Sequence, residues 1–164
     1  MELSLVNYQA WEKAHLSIEG FTAVVGPSSL GKSSFGRAVR SALRNELLPG
    51  HIRLGSTGAE VSLKFNDLDL RVTRGAKAKD STVYYVGDQK FEKLGGDIPQ
   101  AVKDQSFGPV QVNGVSIDPI FAGQFDGQFM VGASPSELNA ILNAFASTER
   151  LDRGRKVLAQ RVTD

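Results

Sequence analysis

The sequence predicts an α/β fold in which a short apolar strand leads through a glycine-bounded loop into a helix. Residues 21–25 are apolar and partly β-branched, which is typical of a buried strand. Residues 35–43 carry apolar side chains at helical spacing. The segment between them, 26–33, has the sequence Gly-Pro-Ser-Ser-Leu-Gly-Lys-Ser. With 164 residues, the chain is long enough for one domain with its own core.

Two strands are expected before this unit. Apolar and polar residues alternate over 2–8 and again over 15–18, as in half-buried strands. The helix after the loop is expected from about Lys32 to Leu47, because Pro49-Gly50 then interrupts the pattern.

The middle of the chain is expected to be rich in strands. Segments 60–65 and 68–72 alternate on either side of Asn66-Asp67, which predicts a hairpin. A further strand is expected from Ser81 to Val86, after a charged turn over 75–80.

Helices are expected in the C-terminal part of the chain. Asp97–Asp104 predicts a short helix with an acidic cap. Ser134-Pro-Ser-Glu137 is a strong helix start, with a serine cap, a proline in the first position and a glutamate three residues after the cap. The buried stripe of that helix would comprise Leu138, Ile141, Leu142 and Phe145. Residues 148–164 predict a charged helix with a thin apolar seam.

Composition limits the possible chemistry. The chain has no cysteine, and His15 and His51 stand far apart, so neither a thiolate zinc site nor a histidine cluster is expected. It has no apolar run of membrane-spanning length and no signal peptide, which makes the cytoplasm the expected location and a membrane partner unexpected. The net charge of +1 gives no overall argument for nucleic-acid binding. The basic clusters are interpreted first as solvated faces: Arg37, Arg40 and Arg44, and Arg71, Arg74, Lys77 and Lys79.

Segment 26–33 fits the phosphate-loop pattern G-x-x-x-x-G-K-[ST] at every fixed position. In such a loop, backbone N–H groups and a helix N-terminus surround a polyphosphate. Lys32 would reach the β and γ phosphates of ATP, and the Ser33 hydroxyl would hold Mg²⁺. The predicted nucleotide-binding residues are Gly26, Pro27, Ser28, Ser29, Leu30, Gly31, Lys32, Ser33 and Ser34.

A phosphate-loop ATPase also needs an apolar strand that ends in a carboxylate, and no convincing one is present. Val115–Asp118 is the nearest candidate, but Pro119 follows it, so we interpret it as a strand that ends at a turn. Leu94-Gly-Gly-Asp97 faintly resembles an ABC-type signature sequence and is interpreted as a plain turn. The chain therefore holds the binding half of a hydrolytic site.

Several segments together carry a family resemblance: Leu5–Trp11, Gly26–Ser34, Arg37-Ala38, Ile52-Arg53, Ala59–Leu63 and Phe121-Ala-Gly-Gln124-Phe-Asp. In these segments the chain resembles the N-terminal half of a split ABC-type ATPase head of the SMC superfamily, in its SbcC-like branch. The resemblance implies a P-loop NTPase lobe with a mixed sheet, an antiparallel β subdomain and C-terminal helices that lead to a coiled coil. The half-head would span residues 1–147 and the coil would begin in 148–164.

The resemblance also implies site residues. Gln124 would be the Q-loop glutamine that contacts Mg²⁺ and the attacking water, so that Lys32 and Gln124 carry catalysis, and Gln128 is the runner-up. Gln9-Ala10 stands where the family often has Arg-Ser, which would leave adenine and phosphate contacts to Trp11 and Lys13. A second departure is the loop sequence Ser-Ser-Leu-Gly in place of Asn-Gly-Ser-Gly, which puts a leucine beside the phosphates.

The partners implied by the resemblance are a C-terminal half-head with the acidic strand and signature motif, a second head, an SbcD-like nuclease subunit and DNA. Such a head acts in DNA repair or recombination, and the isolated half is expected to bind ATP with little or no turnover. Two rival functions remain open. One is a small complete nucleotide kinase of the guanylate-kinase type, suggested by the Gly-Pro-Ser start of the loop and the length. The other is a non-enzymatic module that caps a partner ATPase.

Overall fold

The computed structural model of the chain describes residues 1–106, 108–112, 115–123 and 134–145. The chain divides into two compact units, Met1–Ser106 and Phe107–Asp164. The first unit contains a six-stranded sheet with helices, and the second contains a two-stranded sheet and a helix. The predicted α/β class is therefore confirmed.

The first unit is built on a sheet with the strand order β2-β1-β3-β4-β5-β6, in which every pair of strands is antiparallel. The predicted strand over 2–8, the hairpin around Asn66-Asp67 and the strand near 82–86 are confirmed. The parallel pairing of a mixed sheet is not formed among the described residues. The strands are β1 (Glu2–Tyr8), β2 (Trp11–Ser17), β3 (Gly58–Phe65), β4 (Leu68–Gly75), β5 (Thr82–Val86) and β6 (Gln89–Phe91).

Helix α1 (Lys32–Leu43) packs on β1 and β3, and its apolar stripe faces the sheet. It ends four residues earlier than predicted, because Asn45 adopts a left-handed conformation with φ 54°. The Glu46 N–H then donates to the Ser41 carbonyl at 3.0 Å, which closes the helix end in a Schellman arrangement. A single 3-10 turn, Pro49–His51, follows.

The core lies between α1 and the inner face of the sheet. Alternate residues of the central strands point inward, as the period-2 pattern predicts. Two tyrosines join the layers: the Tyr84 hydroxyl donates to the Ala42 carbonyl at 3.0 Å, and Tyr8 bonds to Ser41 at 3.0 Å. The fully buried apolar side chains of this unit include Leu3, Leu5, Tyr8, Leu47, Val61, Leu63, Leu70, Val72, Tyr84 and Val102.

The strand predicted over Phe21–Val25 is wrong. These residues have no regular secondary structure, and Phe21 and Val25 are 98% and 85% exposed. A strand needs a neighbour for its backbone hydrogen bonds, and no strand of the described chain pairs with this segment. The apolar, β-branched composition of this segment predicts a strand, but the segment does not form one without a neighbouring strand to pair with.

Short elements account for the other differences in this unit. The helix predicted from Asp97 begins later, as α2 (Gln100–Gln105), because Asp97 Oδ1 caps the N–H of Ile98 instead, at 2.8 Å. The second strand starts at Trp11, four residues before the alternation that predicts it. The turn predicted over Leu94–Asp97 is confirmed by a bond from the Asp97 N–H to the Leu94 carbonyl at 3.0 Å.

The second unit contains β7 (Val110–Val112), β8 (Val115–Ile117) and α3 (Pro135–Phe145). The predicted capping box is confirmed: the Ser134 N–H donates to Glu137 Oε2 at 2.7 Å, and the Glu137 N–H donates to Ser134 Oγ at 3.4 Å. These bonds favour the carboxylate, and they lower the pKa of Glu137.

Two further predictions fall in the second unit. Asp118 follows β8, and its carboxylate accepts the N–H of Ile120 at 3.1 Å, so the predicted strand end at a turn is confirmed. The expected buried stripe of α3 is only partly formed, since Ile141 is buried but Leu142 is 54% exposed. The predicted helix over 148–164 lies outside the described residues.

A chain of hydrogen bonds links β1, α1 and the 3-10 turn. His51 Nδ1 accepts the Leu48 N–H at 3.4 Å and lies 3.3 Å from Ser41 Oγ, so the imidazole is unprotonated at Nδ1 and the serine hydroxyl donates to it. Tyr8 in turn donates to Ser41. Burial lowers the pKa of His51, the nearby Arg37 lowers it further, and Glu46 opposes the shift.

Replacing Tyr84 with phenylalanine should lower the free energy of unfolding by about 1–2 kcal/mol, because the buried Ala42 carbonyl loses its partner. Tyr85→Phe is the matched control, since Tyr85 is half-buried beside Arg71, 4.2 Å from its ring centre, and should change stability by less than about 0.5 kcal/mol. Urea denaturation measures both. Equal losses would contradict the assigned role of the Tyr84 bond.

His51 should make stability fall as the solution becomes acidic. Its pKa is lower in the folded state than in the unfolded chain, so the unfolded chain binds the proton first as pH falls below about 6.5. The stabilisation is complete above that pH and is lost on the way down to the folded-state pKa. Urea denaturation from pH 7.5 to 5 should show this slope, and His51→Gln should reduce it. An NMR titration of His51 with a midpoint at or above 6.5 would contradict the assignment.

Candidate phosphate-binding site

The glycine-bounded loop runs directly into the first turn of α1. Ser29 and Gly31 have positive φ angles of 64° and 83°, so the chain turns sharply twice before the helix begins at Lys32. Pro27 to Leu30 are exposed. The loop is therefore exposed to solvent and leads into the N-terminus of a twelve-residue helix.

Gly31 is required by its surroundings as well as by its backbone angle. A Cβ atom at this position would lie 2.9 Å from Ala10 Cβ and 3.0 Å from Trp11 Nε1. Both neighbours belong to the β1–β2 hairpin, whose turn therefore touches the end of the loop. The second glycine of the motif is thus needed for close packing, and no side chain fits in its place.

The N-terminus of α1 is suited to an anion. Gly31 occupies the cap position, and within the described part of the chain no side chain caps this end and no acidic residue stands in the first turn. First-turn N–H groups and the helix dipole therefore point toward the loop with their partial positive charge. This is the electrostatic environment in which phosphate groups bind.

Lys32 spans the loop. Its Nζ atom donates to the Pro27 carbonyl at 2.5 Å, which holds the ammonium against the loop. Ser33 follows it on the same helical turn and is exposed. Lys32 and Ser33 are thus brought to the loop, as the motif predicts, whereas Ser34 is 3% exposed and its hydroxyl donates to Gln9 Oε1 at 2.7 Å.

The β1–β2 turn contacts the loop directly: Trp11 was expected at the nucleotide, but its bond to Gly31 and the contact made by Gln9 were not predicted. Trp11 Nε1–H donates to the Gly31 carbonyl at 3.1 Å, and the indole packs on Phe35 with ring centres 5.1 Å apart. Gln9 Oε1 accepts a second bond from Arg37 at 3.3 Å. The sequence did contain a signal for these contacts. It predicts two strands before the phosphate loop, and the turn that joins them carries a tryptophan, a large side chain that needs a packing partner.

This turn is itself held from behind by the segment after the 3-10 turn. The Gln9 N–H donates to the His51 carbonyl at 2.7 Å, and the Arg53 N–H donates to the Asn7 carbonyl at 2.8 Å. The Arg53 guanidinium also donates to the Ala10 carbonyl at 3.3 Å. Arg53 therefore has a structural role in holding this turn.

The remaining predicted residues are placed as follows. Lys13 is exposed on β2, opposite Val6, two residues from Trp11. Gln124 and Gln128 lie outside the described residues. Leu30 is 56% exposed at the loop, where the family sequence has a smaller residue.

The basic clusters are largely engaged in local contacts. Arg40 pairs with Glu46 at 2.9 Å, and Arg71 lies 3.9 Å from Glu60. Arg37 donates to Gln9 Oε1 and Arg74 donates to Thr82 Oγ1, each at 3.3 Å. These pairs favour the interpretation of the clusters as solvated faces.

Two features are absent from the described residues. They contain no group of three or more His, Cys, Asp or Glu side chains able to hold a metal ion. In the same part of the chain, no helix has both the length and the apolar character needed to cross a membrane.

Comparison with known proteins supports the fold. No family model matches the sequence, and no curated protein matches it. A solved structure from work on ATP-driven dimerization and DNA-stimulated activation of SMC ATPases matches at a TM-score of 0.60 and 20% identity, covering 88% of this chain and 97% of that one.

Two structures of the recombination mediator RecF, one with ATP, also match, at a TM-score of 0.44 and 20% identity. They align with 66% of this chain, which spans about a third of their length, 34%. The conclusion about the fold is drawn from the SMC ATPase structure, which has the higher TM-score. This chain therefore has a fold similar to that of the SMC ATPase structure over most of its length.

Proposed function

We propose that the chain is the ATP-binding half of an SMC- or SbcC-like ATPase head that acts in DNA repair or recombination. The observation that carries the proposal is the junction at Gly31, where a phosphate loop, an uncapped helix N-terminus and Lys32 converge. The fold shared with an SMC ATPase structure supports it. Hydrolysis would require a C-terminal half-head that supplies the acidic strand and the signature motif.

Binding would use charge and backbone donors that are already in place. The triphosphate would lie in the loop, Gly26–Ser34, and take over the ammonium of Lys32, which now bonds to Pro27. Exchanging a neutral carbonyl for a phosphate gives a stronger, charge-assisted hydrogen bond. Trp11 and Lys13 would contribute from the hairpin at the edge of the site.

Mg²⁺ would enter with the nucleotide. Because the described residues offer no carboxylate or histidine cluster, the ion would take most ligands from phosphate and water, as Mg²⁺ commonly does. Ser33, exposed on the first turn of α1, would hold it with its hydroxyl, and Gln124 would complete the protein ligands. Bound Mg²⁺ neutralises charge that develops on the phosphates.

The exposed apolar segment before the loop supports a missing half-head as the first partner. Phe21 and Val25 are almost fully exposed, and a cavity of about 150 Å³ lies beneath the segment, lined by Val24, Phe35 and Val39 among others. Solvated apolar side chains that follow one another favour association with a partner segment that would cover them. We propose the C-terminal half-head as its source.

Wider assembly follows from the resemblance. Two heads would sandwich ATP, so that nucleotide binding stabilises the dimer and hydrolysis releases it. DNA and an SbcD-like nuclease subunit would be further partners, and the cytoplasm the location. The half-head would comprise residues 1–147, with the coiled coil starting in 148–164.

Lys32→Ala should weaken Mg-ATP binding by at least about tenfold, since a charge-assisted contact to phosphate is worth about 1.5–3 kcal/mol. Calorimetry measures binding, and phosphate release is assayed in the same samples. Wild-type protein should bind ATP and release little phosphate. Brisk release would contradict the half-site argument, and transfer of phosphate to a nucleoside monophosphate would favour the kinase alternative.

Gly31→Ala should abolish detectable ATP binding, because the new Cβ would displace Ala10 and Trp11 and strain a φ of 83°. Gly36→Ala is the matched control: it lies on α1 with no atom within 4 Å of its added Cβ. That control should bind ATP normally and gain about 0.5–1 kcal/mol of stability from helix propensity. Equal binding by both variants would contradict the assigned role of Gly31.

A further inference from the structure

We infer that Trp11 is a positioning residue for the phosphate loop, which it holds by the bond from its indole N–H to the Gly31 carbonyl. The inference deepens the proposed function and rests on it, since it names the group that fixes the loop before ATP arrives. Trp11 belongs to β2, so this contact joins the sheet to the loop across twenty residues of sequence.

The bond controls a donor on the opposite side of the same peptide. In a planar trans peptide, the carbonyl of Gly31 and the N–H of Lys32 point in opposite directions. Trp11 Nε1 lies 3.1 Å from that carbonyl oxygen, and the Ser34 N–H donates to the same oxygen at 3.0 Å. With the oxygen held toward the hairpin, the Lys32 N–H is aimed away from it, among the first-turn donors that a phosphate would meet.

The indole is held in place by contacts on two sides. Its ring packs on Phe35 with centres 5.1 Å apart and planes inclined by 39°, and Gly31 lies against it with room only for a hydrogen. The turn that carries it is bonded to His51 and Arg53. The donor therefore sits on a rigid support, so that loop geometry is fixed in advance at little entropic cost on binding.

This role differs from stacking on adenine in what the ligand must contain. A group that acts through the loop affects every ligand with a phosphate chain, whether or not it has a base. A stacking group affects only ligands with a base. Inorganic tripolyphosphate with Mg²⁺ separates the two roles, because it presents the phosphate chain alone.

The test uses two replacements at position 11, the only tryptophan of the chain. Trp11→Phe keeps an aromatic ring and removes the donor. Replacement by 3-benzothienylalanine keeps the shape of the indole and exchanges only the N–H for sulfur, which separates the hydrogen bond from packing. Affinities for Mg-ATP and Mg-tripolyphosphate are measured by calorimetry, and amide hydrogen exchange at residues 31–34 is measured in the ligand-free protein.

Both variants should lose about three- to tenfold in affinity, by a similar factor for the two ligands, which corresponds to one neutral hydrogen bond. Within residues 31–34, the Ser34 amide, which donates to the Gly31 carbonyl, should exchange faster in both variants, while amides of β3 and β4 keep the wild-type rate. Retained affinity and exchange in the benzothienyl variant would overturn the inference, as would loss of affinity for ATP alone, which indicates stacking.

If the proposed function is wrong, the binding experiment gives a different result from the one that overturns the role of Trp11. In that case wild-type protein binds neither ATP nor tripolyphosphate. Hydrogen exchange in the ligand-free variants still decides whether Trp11 holds the loop, because it needs no ligand. Faster exchange at 31–34 without any binding would keep the positioning role and reject the nucleotide site.

Discussion

The close approach of the β1–β2 turn to Gly31 is the constraint on which the site depends. A side chain at Gly31 would collide with Ala10 and Trp11, so the loop can end only where the hairpin allows it. The same contact sets where α1 begins, because Gly31 is its cap. The direction of α1, and hence its packing on β1 and β3, follows from that starting point. Replacing the glycine would thus disturb the loop and the helix together.

The two ends of α1 differ in how their backbone groups are hydrogen-bonded. The C-terminal end contributes to stability, and the N-terminal end is left for ligand binding. Near the C-terminus, the carbonyls of Ser41, Ala42 and Leu43 accept bonds from the Glu46 N–H, the Tyr84 hydroxyl and the Arg44 side chain, respectively. That end is closed, and it fixes the helix to the sheet. In the described structure the N-terminus has no side-chain cap, which leaves donors for a ligand at some cost in stability. A helix anchored at one end can carry an open site at the other.

Most of the fold could be predicted because its signals lie in neighbouring residues. The errors occur where the structure depends on contacts between residues far apart in the sequence. Alternation locates β1 and the β3–β4 hairpin, and Ser134 with Glu137 marks the start of α3, because each signal lies within a few neighbouring residues. The strand expected at Phe21–Val25 depends on a neighbouring strand, which composition cannot reveal. At the site, the motif identified Lys32 and Gly31, since the pattern is local. It missed Trp11 and Gln9 as loop contacts, because these reach the loop from twenty or more residues away.

The β1–β2 hairpin supports the loop at its end and not at its beginning. The hairpin holds its end, through Gly31, whereas its beginning at Gly26 follows directly from the exposed segment Phe21–Val25. In the proposed assembly, a partner strand that paired with this segment would order the chain that enters the loop. Ordering it in advance would remove part of the entropic cost of binding phosphate, so partner and nucleotide would each favour the other's binding by the same free energy. Supporting the loop from two directions thus gives a physical reason for completing such a site with a second polypeptide segment.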